Sequence, residues 1–331
     1  MRLVDDEQLR LTSKFEIAMG PKLALLLEDE RVCDVMINPD GRIFVERVGE
    51  SVEATDLTMP ASQRASLVKT AAVLAGGMAR EGWPILETRV PGKGWRFEGL
   101  LPPIVEAPAI SIRKPPRIVY PLSSYLDTGR MSAAIYDALL GAVRDKQSIL
   151  IVGGTGSGKT TLGNAVLREI VECYPSERLL VVEDTSELQW PAFSSQGVPV
   201  NVVPTCTTHA TTMHDLLKAS LRMRPDRIVV GEVRGAEANV LLEAWNTGHS
   251  GGICTVHANS ARAGLLRLEQ MCAGGLVSGK PPRSEIAVAV QVVVFIARRN
   301  VAGATGVRRV EHLVRVRGLD AVGDYAFEEV T

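Results

Sequence analysis

Residues 148–161 read SILIVGGTGSGKTT, and no other stretch restricts the fold of this chain as tightly. Ile149, Leu150, Ile151 and Val152 form a short apolar run, rich in β-branched residues, of the kind that makes a buried strand. Gly153-Gly154-Thr155-Gly156-Ser157-Gly158-Lys159-Thr160 then satisfies G-x-x-x-x-G-K-[ST]. A helical pattern starts at Thr161, with Leu162, Ala165, Val166 and Ile170 at helical spacing. A chance glycine-rich turn lacks this strand-before, helix-after context, which a phosphate-binding loop requires. The glycines permit positive φ and let backbone N–H groups close around the β- and γ-phosphates, and the helix N-terminus adds partial positive charge. Lys159 supplies a cation and the Thr160 hydroxyl a Mg²⁺ ligand. The segment from Gly153 to Thr161 therefore predicts binding of a nucleoside triphosphate.

Length and composition bound the rest. A chain of 331 residues accommodates two domains, each with its own core. A formal charge of −1 argues against a dedicated nucleic-acid binder, whose footprint is a strong basic excess. The cysteines at 33, 173, 206, 254 and 272 are odd in number and none has C-x-x-C spacing, so neither a zinc site nor a disulfide framework is indicated. The start, MRLVDDEQLRL, lacks the basic and apolar regions of a signal peptide, and no apolar stretch reaches bilayer-spanning length. The expectation is a cytosolic chain whose membrane association, if any, is peripheral.

Residues 7–28 carry a helical pattern interrupted near Gly20-Pro21, and Asp34 to Glu46 reads as a hairpin around Asn-Pro-Asp-Gly. An amphipathic helix over 60–79 follows, with Leu67, Ala71, Leu74 and Met78 on one face, then strand-like pieces at 86–90, 96–101 and 109–112. Residues 1–114 are thus expected to form a small α+β domain. Consecutive prolines at 115 and 116 open a linker, read as 115–131. From 132 to 331 strands and helices alternate, beginning with a helix over 132–145. Strands are expected at 178–182, 227–231 and 252–256, and helices at 212–223, 236–245 and 261–271, with strand-like runs at 292–296, 307–316 and 325–330. This alternation predicts an α/β domain with a mostly parallel sheet and helices on both faces.

Hydrolysis of a phosphoanhydride needs a metal and a group that positions or polarises water. Glu183 and Asp184 follow the apolar run RLLVV, and Glu232 follows RIVVG. In doubly wound sheets ligands lie outside the carboxyl ends of strands, where these acids would converge on the glycine loop. His257 falls at another such end, in TVHANS, where its imidazole would sense the γ-phosphate. His249, in a glycine-rich turn, has a weaker case; His209, His214 and His312 have no special context and read as structural or surface residues. Arg96 and Arg113 lie on strands of the first domain, and surface placement is the default for both.

GGTGSGKTT, VVEDTSEL, RMRPDRIVVGEVRGAEA and TGHSGGICTVHANS occur in this order. The series resembles the phosphate loop, Asp box, Walker B segment and His box of the secretion-superfamily traffic ATPases. EDTSEL, RPDRIVVGEVRG and TVHANSARAGLLRLEQ resemble the type IV secretion branch, and within it the TrbB-type conjugal-transfer ATPases. Pilus-retraction motors more often carry an EDPIE-type box and an HTNS-type His box. The strong motifs span about 148–270; the first domain matches more loosely, through FEGLLPPI and ISIRKP.

The resemblance implies a RecA-like P-loop NTPase domain behind the smaller α+β domain. It also implies Mg²⁺-dependent ATP hydrolysis and a homohexamer at the cytoplasmic face of the inner membrane. That ring would work with other components of a type IV secretion apparatus, driving pilus assembly or substrate transfer through ATP-dependent domain motion. Lys159 and Thr160 carry over directly, Glu232 as the water-polarising Walker B glutamate, Glu183 as the Asp-box acid supporting Mg²⁺ and water, and His257 as the His-box residue. Arg96 and Arg113 match the region that supplies phosphate-contacting arginines. The absent tetracysteine element counts against the larger type II secretion and pilus-extension motors. The alternatives are a pilus or type II secretion motor, a nucleotide-gated assembly scaffold with slow turnover, and a nucleic-acid translocase; no direct sequence-specific nucleic-acid contact is expected.

Overall fold

The computed structural model describes residues 2–47, 50–76, 84–114, 119–185, 187–189, 201–207, 210–274, 282–301 and 304–330. The chain divides into two units, Met1–Arg117 and Ile118–Thr331.

In the first unit, helix α1 (Arg2–Glu28) is kinked where Gly20 takes φ 76° before Pro21, the interruption expected from sequence. Strands β1 (Val32–Ile37) and β2 (Arg42–Arg47) form the expected hairpin. Then follow β3 (Glu53–Thr58), α2 (Ala61–Leu74), β4 (Ile85–Arg89), β5 (Arg96–Leu100) and β6 (Ala109–Arg113). The strands pair antiparallel in the order β3-β2-β1-β6-β5-β4. Both helices cover one face, burying Phe15, Leu23, Leu27, Leu67 and Val68 against Val35, Phe97 and Ile112. Met78 lies outside the described residues, and the helix ends at Leu74, earlier than the apolar periodicity suggested. Strand β3 was not expected. It is a polar sheet edge whose half-solvated sequence, EATDLT, carries little apolar alternation.

The prolines at 115 and 116 lie outside the described residues. Of the rest of 115–131, Val119, Leu122, Tyr125 and Met131 are buried in the second unit's core beside Ile135 and Leu139. That unit runs α3 (Ser123–Asp127), α4 (Ala133–Arg144), β7 (Ile149–Gly153), α5 (Lys159–Cys173), β8 (Arg178–Glu183), β9 (Asn201–Cys206) and α6 (Met213–Ser220). It continues with β10 (Arg227–Val230), α7 (Glu237–Asn246), β11 (Ile253–His257), α8 (Ala261–Ala273), α9 (Arg283–Ala289), β12 (Val292–Val301), β13 (Ala304–Leu319) and β14 (Tyr325–Val330).

The sheet order is β14-β13-β12-β7-β11-β10-β8-β9. The six strands from β12 to β9 are parallel, and β13 and β14 continue antiparallel. Strand β7 is central and buried throughout. Its Ile149 and Ile151 face α4 and α5, whereas Leu150 and Val152 face the core built with α7, α8 and α9. Burial on both faces explains why its sequence reads as an unbroken apolar run rather than an alternation. Helices on both faces of a mostly parallel sheet are the architecture of a RecA-like P-loop domain. No helix among the described residues is long and apolar enough to cross a membrane.

Candidate active site

The carboxyl ends of β7, β11, β10 and β8 lie side by side in the sheet, so whatever follows each strand meets its neighbours there. Strand β7 closes at Gly153, and α5 begins at Lys159. Between them Gly156 and Gly158 take φ 68° and 96°, values that side chains disfavour and that a phosphate cradle requires. Gly153 has a different reason to be glycine: a Cβ there would collide with the Ile296 carbonyl and the Ser157 hydroxyl. The Ser157 Oγ is itself buried, with no hydrogen-bond partner among the described residues.

Lys159 is only 7% exposed. Its Nζ donates to the carbonyls of Gly153 at 3.0 Å and Gly154 at 2.9 Å, and lies 3.2 Å from His257 Nδ1. Burial lowers the lysine's pKa, against the attraction of Glu232 and Glu187. His257, directly opposite Gly153 in the β11–β7 register, is likewise held below the ordinary histidine value. Burial is the main cause and the Lys159 ammonium the next, with Glu232 opposing both. The imidazole is therefore neutral at neutral pH.

Glu232 follows β10, and its carboxylate is gripped at both oxygens. Oε1 lies 3.0 Å from His257 Nε2, and Oε2 accepts from Arg234 Nη2 at 2.7 Å. The turn beneath is fixed because Thr255 Oγ1 donates to the Gly231 carbonyl and Val233 N–H donates to the Thr255 carbonyl. Three of the residues expected from sequence, Lys159, Glu232 and His257, are thus in one hydrogen-bonded chain.

Glu183 occupies a different position from Glu232. It is 1% exposed, and its Oε1 accepts the backbone N–H groups of Glu187 at 2.7 Å and Leu188 at 2.9 Å. It shapes the loop after β8. The carboxylate that reaches the phosphate-loop hydroxyl is that of Glu187, whose Oε2 accepts from Thr160 Oγ1 at 3.1 Å. Asn164 on α5 fastens the same loop, its Oδ1 accepting from Gln189 N–H. Thr161 follows on the first turn of α5, half-buried.

Arg96 and Arg113 stand directly opposite one another on β5 and β6, and Arg89 stands opposite Arg96 on β4. Arg96 pairs with Glu87 at 2.7 Å and Arg113 with Asp34 at 2.8 Å. His249 lies at the amino end of β11, away from the loop, with Nδ1 2.9 Å from the Pro225 carbonyl. His312 stacks near Phe295, and His209 is outside the described residues.

Four further residues at the site were not singled out from sequence: Glu187, Arg234, Arg298 and Arg308. Arg308 on β13 donates from Nε to the Gly156 carbonyl at 3.0 Å, and Arg298 is its cross-strand partner on β12. Beside them a cavity of about 290 Å³ is lined by Gly154, Thr155, Ser157, Asn259, Phe295 and Arg298. Arg298 arrives on β12, the parallel neighbour of β7, whereas only the antiparallel return of β13 brings Arg308 to the loop, and local spacing carries no signal for that return.

The family model described as "Type II/IV secretion system protein" matches residues 20–316. The chain is 41% identical over 309 residues to the "Conjugal transfer protein TrbB" of Rhizobium radiobacter, covering 93% of this chain and 91% of that one. It is 40% identical over 319 residues to the "Probable conjugal transfer protein TrbB" of Sinorhizobium fredii, covering 96% and 93%. Among solved structures, the ATPase DotB of Legionella pneumophila matches 85% of this chain and 76% of its own at a TM-score of 0.61 and 22% identity, which shows a shared fold.

Proposed function

The chain belongs to the type II/IV secretion system protein family, and we propose that it is an ATP-driven hexameric motor for conjugal transfer through a type IV secretion apparatus. It is an ATP-hydrolysing enzyme that uses Mg²⁺. The observation that carries the mechanistic reading is the chain of Lys159, His257 and Glu232 at the ends of β7, β11 and β10.

The phosphate loop fits a nucleotide. Gly156 and Gly158 hold the backbone in the left-handed region that turns successive N–H groups inward, and the buried Ser157 hydroxyl awaits an acceptor. Lys159 is positioned to exchange the Gly153 and Gly154 carbonyls for phosphate oxygens. Thr160 Oγ1 and the Glu187 carboxylate would hold Mg²⁺, Glu187 directly or through water, while Glu183 fixes the loop that presents Glu187. The metal, when bound, neutralises phosphate charge and orients the γ-phosphoryl group. Glu232 accepts the proton of the attacking water, and neutral His257 steadies that carboxylate and monitors Lys159. The cavity beside Arg298 adjoins the phosphate loop and carries two guanidinium-bearing residues, Arg298 and Arg299, in its lining. Arg96 and Arg113 are proposed as additional phosphate contacts. A row of three guanidinium-bearing residues on one sheet face supports that role.

The TrbB relatives, matched over more than nine-tenths of their length, support the conjugal assignment, and we propose that the chain acts at the cytoplasmic face of the inner membrane. The test is complementation: a donor strain lacking this protein should regain conjugal transfer with the wild type and fail to with Lys159→Ala. Equal transfer by both would contradict the motor reading.

A further inference from the structure

Arg234 sits two residues beyond Glu232, on the stretch between β10 and α7. Its backbone is fixed by Glu237, whose Oε1 accepts the N–H groups of Arg234 at 2.7 Å and Gly235 at 2.8 Å. From that anchor the guanidinium reaches two strand ends at once. Nη2 donates to Glu232 Oε2 at 2.7 Å, and Nη1 lies 3.4 Å from Asp184 Oδ2. Asp184 is tethered in turn, because Thr207 Oγ1 donates to its Oδ1 at 2.7 Å. A polar chain therefore runs Thr207, Asp184, Arg234, Glu232, His257, Lys159. It follows the carboxyl edge of the sheet in strand order, from the exit of β9 to the phosphate loop.

We propose that Arg234 is the positioning residue for Glu232 and that Asp184 acts through it. A glutamate side chain has three rotatable bonds, and proton transfer requires its carboxylate at one place. His257 holds one oxygen through a half-exposed ring whose grip depends on the tautomer. Arg234 holds the other by a charge-assisted bond, the stronger kind. The ion pair at Arg234 does little for folding: the side chain is 56% exposed, and exposed pairs contribute only ~0–1 kcal/mol. What the pair can do is orient. Its two donors diverge by the planar geometry of guanidinium, so fixing Nη1 on Asp184 fixes the direction of Nη2. Lysine, a compact charge with three freely rotating donors, lacks the planar fork that ties the direction of one contact to the other.

This inference rests on Glu232 being the proton acceptor, and the experiment separates the two claims. Steady-state ATP hydrolysis by the full chain is measured for Arg234→Gln, Arg234→Lys, Asp184→Asn, Glu232→Gln and the double variant Arg234→Gln/Glu232→Gln. Misplacing a catalytic group by about 1 Å costs on the order of 10²-fold. Arg234→Gln should accordingly lower kcat by about tenfold to a hundredfold while KM for MgATP stays within about twofold. Arg234→Lys should recover only part of this, and Asp184→Asn should lose a few-fold. In the Glu232→Gln background, Arg234→Gln should cost nothing further, because a positioning residue has nothing left to position. A purely structural role would raise KM or lower the melting temperature instead. If Glu232→Gln is inactive but Arg234→Gln keeps the wild-type kcat, Arg234 does not position it and the proposal is overturned. If Glu232→Gln itself keeps full turnover, the assignment of the proton acceptor is wrong and the role of Arg234 goes with it.

Discussion

Thr160 Oγ1 donates to Glu187 Oε2 across 3.1 Å, while Glu183, four residues earlier, turns its carboxylate onto the backbone of that same loop. Two acids from one motif thus divide the work. One faces the hydroxyl that a metal would share, and the other builds the loop that brings it there.

Glu187→Gln should therefore raise the Mg²⁺ concentration needed for half-maximal hydrolysis by about tenfold or more, as loss of a group at or beside a metal does. Glu183→Gln should chiefly lower stability, by about 1–3 kcal/mol, since it disturbs a buried acceptor of two N–H groups. Mg²⁺ titrations and urea denaturation of both variants read the two effects. A normal Mg²⁺ requirement in Glu187→Gln with a raised one in Glu183→Gln would reverse the assignment.

His257 makes stability depend on pH in a definite direction. Above its ordinary value of 6.5 the ring is neutral both folded and unfolded, so it contributes no slope. As pH falls below that value the unfolded chain takes up the proton first, because burial and Lys159 hold the folded value lower. Stability should fall over that window and level off once the folded ring is protonated. His257→Asn removes this contribution, so the gap between the two unfolding free energies should change steadily from pH 7 to pH 5, against the wild type. Parallel curves would show that the ring is not held neutral.

Arg113→Ala, and Arg96→Ala to a lesser degree, should lower turnover strongly while leaving ADP binding and the melting temperature nearly unchanged. Each guanidinium makes a partly exposed ion pair, to Asp34 and Glu87 respectively, and such pairs contribute little to folding. Parallel losses of stability and activity would instead make these arginines part of the sheet's own packing.

The parts of the fold that are locally encoded were legible. The apolar run before Gly153, the glycine loop and the α5 periodicity each lie within about fourteen consecutive residues. Strands β3 and β9 were not. EATDLT is a solvated edge with almost no apolar alternation, and NVVPTC carries Pro204, which reads as a strand breaker yet is tolerated at a sheet edge.

The site divides in the same manner. Glu232 follows a buried strand, His257 closes one, and Lys159 opens the helix after the glycine loop that ends a third, so a parallel sheet had to bring them together. Glu187 and Arg234 depend on how a loop turns after its strand, and Arg308 depends on an antiparallel return from β12. The spacing of residues along the chain contains none of these. A single physical signal was available for Glu183: it directly extends the apolar run Leu179–Val182 and closes β8, which favours an inward-facing, structural carboxylate.

The assignment of Glu232 as proton acceptor and Lys159 as phosphate cation in ATP hydrolysis is the proposal on which the other roles depend. It is tested most directly by measuring bound nucleotide and released phosphate on the same sample of Glu232→Gln, beside the wild type and Lys159→Ala. The amide keeps the size and polarity of glutamate but cannot accept the proton. Glu232→Gln should hold ATP with near-normal affinity and release phosphate at least about 10²-fold more slowly, whereas Lys159→Ala should lose both binding and turnover. Wild-type phosphate release by Glu232→Gln, or by Lys159→Ala, would contradict the account.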